Sequence, residues 1–326
     1  MKFLNISYSP AHVLTTLLLC SKAVVFGFEI TETLVDLSYE AAILSDLTYN
    51  PDVAISGGQY ETIEVFSDRN DLALVAKKNG YCYAAYRGTT LSFSDWKQNF
   101  EVSKENFCAT RSTCCTARKG FLDAFFSFPD IEDSLDECIS STCPEHDCVV
   151  LTGHSQGGAL ALIAAYKYAR TNPIVITFGQ PPAMKSCAFI NSKKVFRYIN
   201  TSTENFMGVA VFGLELEYDI VSGTPLLYDD MIGHGLVLAD DKYGYTQIAY
   251  QGLNTARSMK NVDFAAHGME QYVARIEDLV SQTKYLNRHL QANGFHIGSP
   301  CNEDYECASE YCSFGYCKKC PRWRTC

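Results

Sequence analysis

The chain has 326 residues, 47% of them hydrophobic, and a formal net charge of −10. That is apolar material for one large core, or for one core plus a small appendage. The acidic balance leaves no basic stripe to answer a phosphate backbone, so a nucleic-acid partner is not expected.

The elements follow in chain order. After Lys2, the apolar run 13–27 ("VLTTLLLCSKAVVFG") predicts an export signal over 1–27, cut ahead of Phe28. It is too short for a comfortable membrane span, with an N-terminal anchor or a buried helix as the alternative, and no other segment approaches a span. Residues 30–50 carry apolar side chains at helical spacing, ended by Pro51. Residues 71–90 read as two strands around Asn79-Gly80, a hairpin signal. Residues 120–140 are helical in period, broken at Pro129. A short buried strand at 148–153 leads to a helix over 156–170, stopped by Asn172-Pro173. Buried strands follow at 174–179 and 194–200, and a long helix at 267–290 closes near Gly294. Apolar strands alternating with helices predict an α/β fold with a mainly parallel central sheet.

The cysteines agree with export. There are 15, and loss of Cys20 with the signal leaves an even set suited to disulfides in an oxidising compartment. Eight are spread through the main body: Cys82, Cys108, Cys114, Cys115, Cys138, Cys143, Cys148 and Cys187. Six are packed after Gly298, where composition changes abruptly. The division predicts a main domain over 28–297 and a stapled module over 298–326. Zinc on Cys317 and Cys320 is the rival reading of that module. Asn200 begins a sequon (NTS) that survives cleavage, which makes it a candidate for glycosylation.

The chemistry centres on Gly153-His154-Ser155-Gln156-Gly157, which fits G-x-S-x-G between a strand and an Ala-rich helix. Such a serine sits on a strained strand-to-helix turn, and glycines two positions away let strand and helix approach. Its hydroxyl then lies at a helix N-terminus, whose dipole and N–H groups favour an oxyanion. A serine needs a histidine base, and the base needs an orienting carboxylate. Of the downstream histidines, His289 and His296 read as surface residues, leaving His234 and His267.

The ordered motifs resemble those of the class 3 lipases, the secreted fungal triacylglycerol lipases of the α/β-hydrolase superfamily, over roughly residues 30–290. The matching stretches are "YAAYRGTTLSFSDWKQNF" (83–100), "KGFLDAF" (119–125), "GHSQGGALA" (153–161), "TFGQPPA" (177–183), "YDIVSGTP" (218–225) and "DFAAHGMEQY" (263–272). The resemblance implies Ser155 as nucleophile, Asp219 as orienting acid and His267 as base, with His234 a structural residue. It implies Thr89 and the backbone N–H of Gln156 as oxyanion donors. No cofactor and no metal are implied. Residues 201–218 form an apolar insertion ahead of Asp219, which leaves Glu204 as an alternative acid. Arg118 stands where the family has histidine, and Pro182 to Lys185 replace its Arg-x-Gly-Asn. Residues 90–96 stand where the family carries its lid: Leu91, Phe93 and Trp96 either cover an acyl groove or belong to the core. The C-terminal cysteines are similar to modules of dickkopf type, which implies a small unit that binds a surface or protein ligand. The expected function is a secreted, or secretory- or endolysosomal-lumenal, serine hydrolase of lipid carboxylic esters. Acylglycerols at a lipid–water interface are the first substrate class. Phospholipase A1-type or feruloyl-type esterase activity, a peptidase or acyltransferase, and an inactive hydrolase fold used for binding are the alternatives.

Overall fold

The computed structural model describes residues 31–56, 58–68, 71–89, 103–110, 113–128, 130–143, 147–185, 187–201, 217–219, 232–240, 246–253, 261–263 and 267–292, with the short strands 24–25, 28–29, 312–313 and 316–317. The chain divides into two compact units, Met1–Ile276 and Glu277–Cys326.

In the first unit, helix α1 (Glu32–Leu47) is capped by Thr31, whose side chain accepts from the Leu34 N–H at 3.1 Å. Pro51 opens a second short helix, α2 (Pro51–Ser56), rather than merely ending the first. At the first helical position its missing N–H has no intrahelical partner to lose. Then come β1 (Thr62–Asp68), β2 (Asp71–Lys78) and β3 (Tyr81–Tyr86), an antiparallel run whose second turn is Asn79-Gly80. A separate hairpin, β4 (Lys104–Thr110) with β5 (Thr113–Arg118), precedes α3 (Lys119–Phe125) and α4 (Ile131–Thr142). The candidate nucleophile Ser155 lies between β6 (Val149–His154) and α5 (Gln156–Lys167). Strands β7 (Ile174–Phe178) and β8 (Val195–Asn200) follow, then β9 (Glu217–Asp219), β10 (His234–Asp240), β11 (Thr246–Leu253), β12 (Asn261–Asp263) and helix α6 (Met269–Ala292). The division between the units falls within α6.

Eight of these strands make the central sheet, in the order β11-β10-β8-β7-β6-β3-β2-β1. Neighbours from β3 to β10 pair in parallel, and the antiparallel pairs lie at the two edges. The mainly parallel sheet expected from the sequence is therefore present. Sequence patterning missed β1, β10 and β11. The first is a half-exposed edge strand and the other two carry glycines and polar residues.

Period-two alternation sends side chains to two covered faces. Cys82, Ala84 and Tyr86 of β3, with Val149 and Leu151 of β6, join one cluster with α3, α4 and α5. Helix α5 is apolar on all sides and its residues from Gly157 to Tyr166 are buried, as a helix without a polar face must be. Each of Leu160, Leu162 and Ile163 contributes about 1.5–3 kcal/mol by leaving water. The other face carries α1 on buried polar bonds. Ser38 Oγ meets Tyr198 OH at 2.8 Å, Ser45 Oγ meets Thr152 Oγ1 at 2.9 Å, and Thr152 Oγ1 donates to Ala41 O at 3.3 Å.

All eight main-body cysteines are paired: Cys82–Cys138, Cys108–Cys114, Cys115–Cys187 and Cys143–Cys148. The first ties β3 to α4, and the third ties the β4–β5 hairpin to the segment after β7. Asn200 corrects the sequon reading. It is fully buried at the end of β8, and its Oδ1 accepts from Arg275 Nη1 at 3.1 Å, so this fold has no room for a glycan there. No described helix is long and apolar enough to cross a membrane.

In the second unit, beyond the C-terminal part of α6, β13 (Cys312–Ser313) pairs antiparallel with β14 (Tyr316–Cys317). The rest of the cysteine-rich segment, residues 1–23 and 26–27 of the expected export signal, the 90–96 segment, His296, Glu204 and the 202–216 part of the insertion lie outside the described residues.

Candidate active site

The parallel sheet delivers the site at the C-terminal ends of its strands. Strand β6 ends at His154, and Ser155 turns the chain with φ 55° and ψ −124°. A side chain at positive φ is strained, by about 1–3 kcal/mol, and persists only where the surroundings over-determine it. Here they do. The Ser155 N–H donates to Phe178 O at 2.9 Å, and Ser155 O accepts from the Gly158 N–H at 3.0 Å. The side chain stands at the N-terminus of a twelve-residue helix, where orphan N–H groups and the dipole favour negative charge.

Two close approaches explain the glycines. A Cβ on Gly157 would sit 1.9 Å from Tyr86 O, so the first turn of α5 rests directly on the end of β3. A Cβ on Gly88 would sit 2.3 Å from Tyr49 OH, 2.7 Å from His154 O and 3.0 Å from Ser155 Cβ. The register sets Tyr86 opposite Gly153, so Arg87-Gly88-Thr89 leaves β3 alongside Ser155. The Arg87 N–H donates to Leu72 O at 2.8 Å, fastening that exit to β2. Thr89 Oγ1 donates to Gln156 Oε1, which brings the two sequence-predicted oxyanion residues into contact.

His267 stands just before α6, in contact with the residue preceding Ser155. His154 Nε2 lies 2.7 Å from His267 O, and the two rings are 4.5 Å apart. A carbonyl only accepts, so His154 Nε2 carries the proton. In the neutral ring Nδ1 then accepts from Tyr49 OH at 2.8 Å. Burial, the largest influence, pushes the Tyr49 phenol far above its usual range and keeps it a donor. The start of α6 is held by two further side chains. Tyr272 OH accepts from the Asn200 N–H at 3.0 Å. Arg275 forks onto Asp240, Nε to Oδ1 at 3.1 Å and Nη2 to Oδ2 at 2.9 Å, and reaches Leu238 O at 3.3 Å. Sequence reading missed this supporting set of Tyr49, His154, Arg275 and Asp240. His154 was visible inside the motif, but the other three had no local signature.

Asp219 closes β9, which pairs in parallel with β12 so that Asp219 is level with Asp263. Asp263 is four residues before His267 in the chain. The backbone thus runs the candidate acid beside the strand that leads into the candidate base. His234 stands elsewhere. It begins β10, level with Phe196, which is level with Ile176, which is level with Thr152 of β6. Three strand spacings separate it from the elbow strand, about 14 Å. It is buried, stacks on Phe196 at 5.4 Å between ring centres, and is held below the usual histidine range mainly by that burial.

The two departures from the family pattern meet in space. The Arg118 N–H donates to Ala183 O at 3.1 Å, Arg118 Nε donates to Pro182 O at 3.2 Å, and the Lys185 N–H donates to Thr116 O at 2.9 Å. Both changes therefore concern one contact, between β5 and the loop after β7. Among the described residues, no group of three or more His, Cys, Asp or Glu is arranged to hold a metal ion.

The sequence pattern of the family described as "Lipase (class 3)" matches residues 83–204. No curated protein matches the chain. Among solved structures, the chain is similar to the Rhizomucor miehei lipase in its propeptide complex, with a TM-score of 0.54 and 18% identity over 73% of this chain and 78% of that one. It is similar to a triacylglycerol lipase whose catalytic centre is described as a serine protease triad, at 0.53 and 20% over 73% and 94%. It is also similar to the Lip2 lipase of Yarrowia lipolytica, at 0.51 and 17% over 73% and 93%. Elbow, parallel sheet and covering helices agree with these likenesses: the chain has the α/β-hydrolase fold of the fungal triacylglycerol lipases, and its residues 83–204 carry the class 3 lipase pattern.

Proposed function

We propose that the chain is a serine hydrolase of lipid carboxylic esters, acylglycerols first, working through an acyl-enzyme on Ser155. The observation that carries this reading is the elbow. A serine is held at φ 55° at the start of a buried helix, with the loop bearing Thr89 packed against it. The fold and the matched family pattern support a lipid ester hydrolase. One structural neighbour is described as a triacylglycerol lipase with a serine protease triad, and Ser155, Asp219 and His267 are the residues proposed for that arrangement here.

In the proposed reaction His267 takes the Ser155 proton as Oγ attacks the ester carbonyl. Thr89 and the Gln156 N–H hold the oxyanion, and Asp219 steadies the imidazolium. His267 then protonates the departing alcohol, and water, activated by the same imidazole, hydrolyses the acyl-enzyme. The contact between His154 and the His267 carbonyl supports this assignment, as does the pairing of the Asp219 strand with the strand before His267. The four disulfides support an oxidising, secretory location.

The test is fluorophosphonate labelling of wild type and Ser155→Ala, with turnover of p-nitrophenyl esters of graded chain length. The expected result is label and turnover that vanish with Ser155, and a preference for long acyl chains. Folded wild type that takes no Ser155-dependent label refutes the enzyme reading. A preference for short chains refutes the lipid substrate class.

A further inference from the structure

The contact between Thr89 and Gln156 is made by side chains, not only by the loop and the helix that carry them. Thr89 Oγ1 donates to Gln156 Oε1, and both residues are half-buried beside Ser155. A threonine hydroxyl has one proton. While that proton is given to Gln156, Thr89 has none to offer an oxyanion. The glutamine amide presents a carbonyl on one side and an NH2 on the other, and a half-turn of the amide exchanges acceptor for donor. Oγ1 then accepts from Nε2, and its proton is free to point where the oxyanion forms.

We propose that the Gln156 side chain is a positioning residue for the Thr89 hydroxyl. In the resting arrangement it holds the Thr89 proton. In turnover its amide is reversed, and Gln156 Nε2–H, Thr89 Oγ1–H and the oxyanion form one chain of hydrogen bonds. Such a chain polarises along its length, so the amide strengthens the hydroxyl as a donor as well as aiming it. Three features favour this. Gln156 is the first residue of α5, so its backbone N–H and its side chain serve the same point. A Cβ on Gly88 would sit 3.0 Å from Ser155 Cβ, so the residue before Thr89 lies directly against the nucleophile turn. A glutamine offers both an acceptor and a donor at one position, which neither an aliphatic residue nor a carboxylate can do. The inference rests on the hydrolase reading above.

The experiment measures kcat and KM on p-nitrophenyl butyrate, fluorophosphonate labelling rates and thermal melts. The variants are Gln156→Leu, Gln156→Glu, Thr89→Ala and the Gln156→Leu/Thr89→Ala pair. Loss of one neutral hydrogen bond predicts a kcat about fivefold lower in Gln156→Leu, with KM within about twofold. A carboxylate only accepts and keeps the hydroxyl proton, so Gln156→Glu falls by about a hundredfold, as Thr89→Ala does on losing the donor. In the Thr89→Ala background, Gln156→Leu changes nothing further. Should Gln156→Glu melt early, Gln156→Leu and Gln156→Met complete the cycle. The proposal is overturned if both Gln156 variants stay within twofold of wild type, or if the losses multiply in the double variant while labelling remains dependent on Ser155. Wild type without Ser155-dependent label removes the hydrolase reading, and this proposal with it.

Discussion

One methyl group at Gly157 tests how the site is assembled. In Gly157→Ala the new Cβ would lie 1.9 Å from Tyr86 O, 2.6 Å from Tyr86 C and 2.9 Å from Arg87 C. A carbon and a carbonyl oxygen settle at roughly 3.3 Å, so the gap must open by about 1.4 Å. All three obstructing atoms are backbone, and no flexible side chain can yield. Either α5 lifts off the sheet or the end of β3 moves, and that end runs through Arg87 and Gly88 to Thr89. Overpacking of this kind costs about 1–3 kcal/mol, each kcal/mol lowering Tm by roughly 2–4 °C in a domain of this size. A shift of about 1 Å at the reacting atoms costs on the order of a hundredfold in rate. The helix preference for alanine returns about 1 kcal/mol in stability but nothing in rate. The control is Gly158→Ala, whose Cβ meets the Gln180 side chain at 3.0 and 3.2 Å and Gly153 O at 3.2 Å, so its backbone contact is already close to the roughly 3.3 Å at which carbon and carbonyl oxygen settle. Differential scanning calorimetry and ester turnover should therefore separate two adjacent glycines. Gly158→Ala stays near wild type, while Gly157→Ala melts earlier and loses most turnover. Gly157→Ala with wild-type melting and turnover within threefold would refute the reasoning.

Two further outcomes follow from burial and cross-linking. His234 is held below the usual histidine range by burial, so the unfolded chain takes up a proton below about pH 6.5 that the folded chain refuses. The unfolded state then binds more protons, and stability falls as pH drops through that range. His234→Phe should flatten this loss, measured as the difference between urea unfolding free energies at pH 7.5 and 5.5, and an unchanged difference counts against it. Among the disulfides, Cys115–Cys187 closes a span of 72 residues and Cys108–Cys114 a span of 6. Chain entropy assigns them about 4 and about 2 kcal/mol. Paired Cys→Ala variants should show the larger drop in melting temperature for the long loop, and the reverse order would show that unfolded-state entropy does not govern the effect here.

Much of the site was legible because its signals are local. Gly153, Ser155 and Gly157 mark an elbow since strand, turn and helix are neighbours in sequence, and their geometry is set within a few residues. The hairpin at Asn79-Gly80 and the break at Asn172-Pro173 were readable for the same reason. Edge strands were not. β1 faces water on one side and, among the described residues, pairs only with β2, so its pattern is mixed. The support of the candidate base was also hidden. Tyr49 and His154 are 105 residues apart, and Arg275 and Asp240 are 35 apart, with no pattern linking either pair.

The amino-acid sequence by itself determined the class of fold and the position of the candidate nucleophile. Hydrophobic period and turn chemistry act over short stretches, and no folding is needed to read them. Tertiary structure alone decided the rest. It chose one set of pairs for eight main-body cysteines, which spacing could not do. It put Asn200 inside the core, so that a sequon in the sequence is a buried, hydrogen-bonded asparagine in the fold. It set His234 and His267 apart, because sheet register is fixed by which strands bury against each other. His234 begins a strand about 14 Å across the sheet from β6, whereas His267 leans on the residue before Ser155. Those distances are properties of a packed sheet, and a linear chain does not contain them.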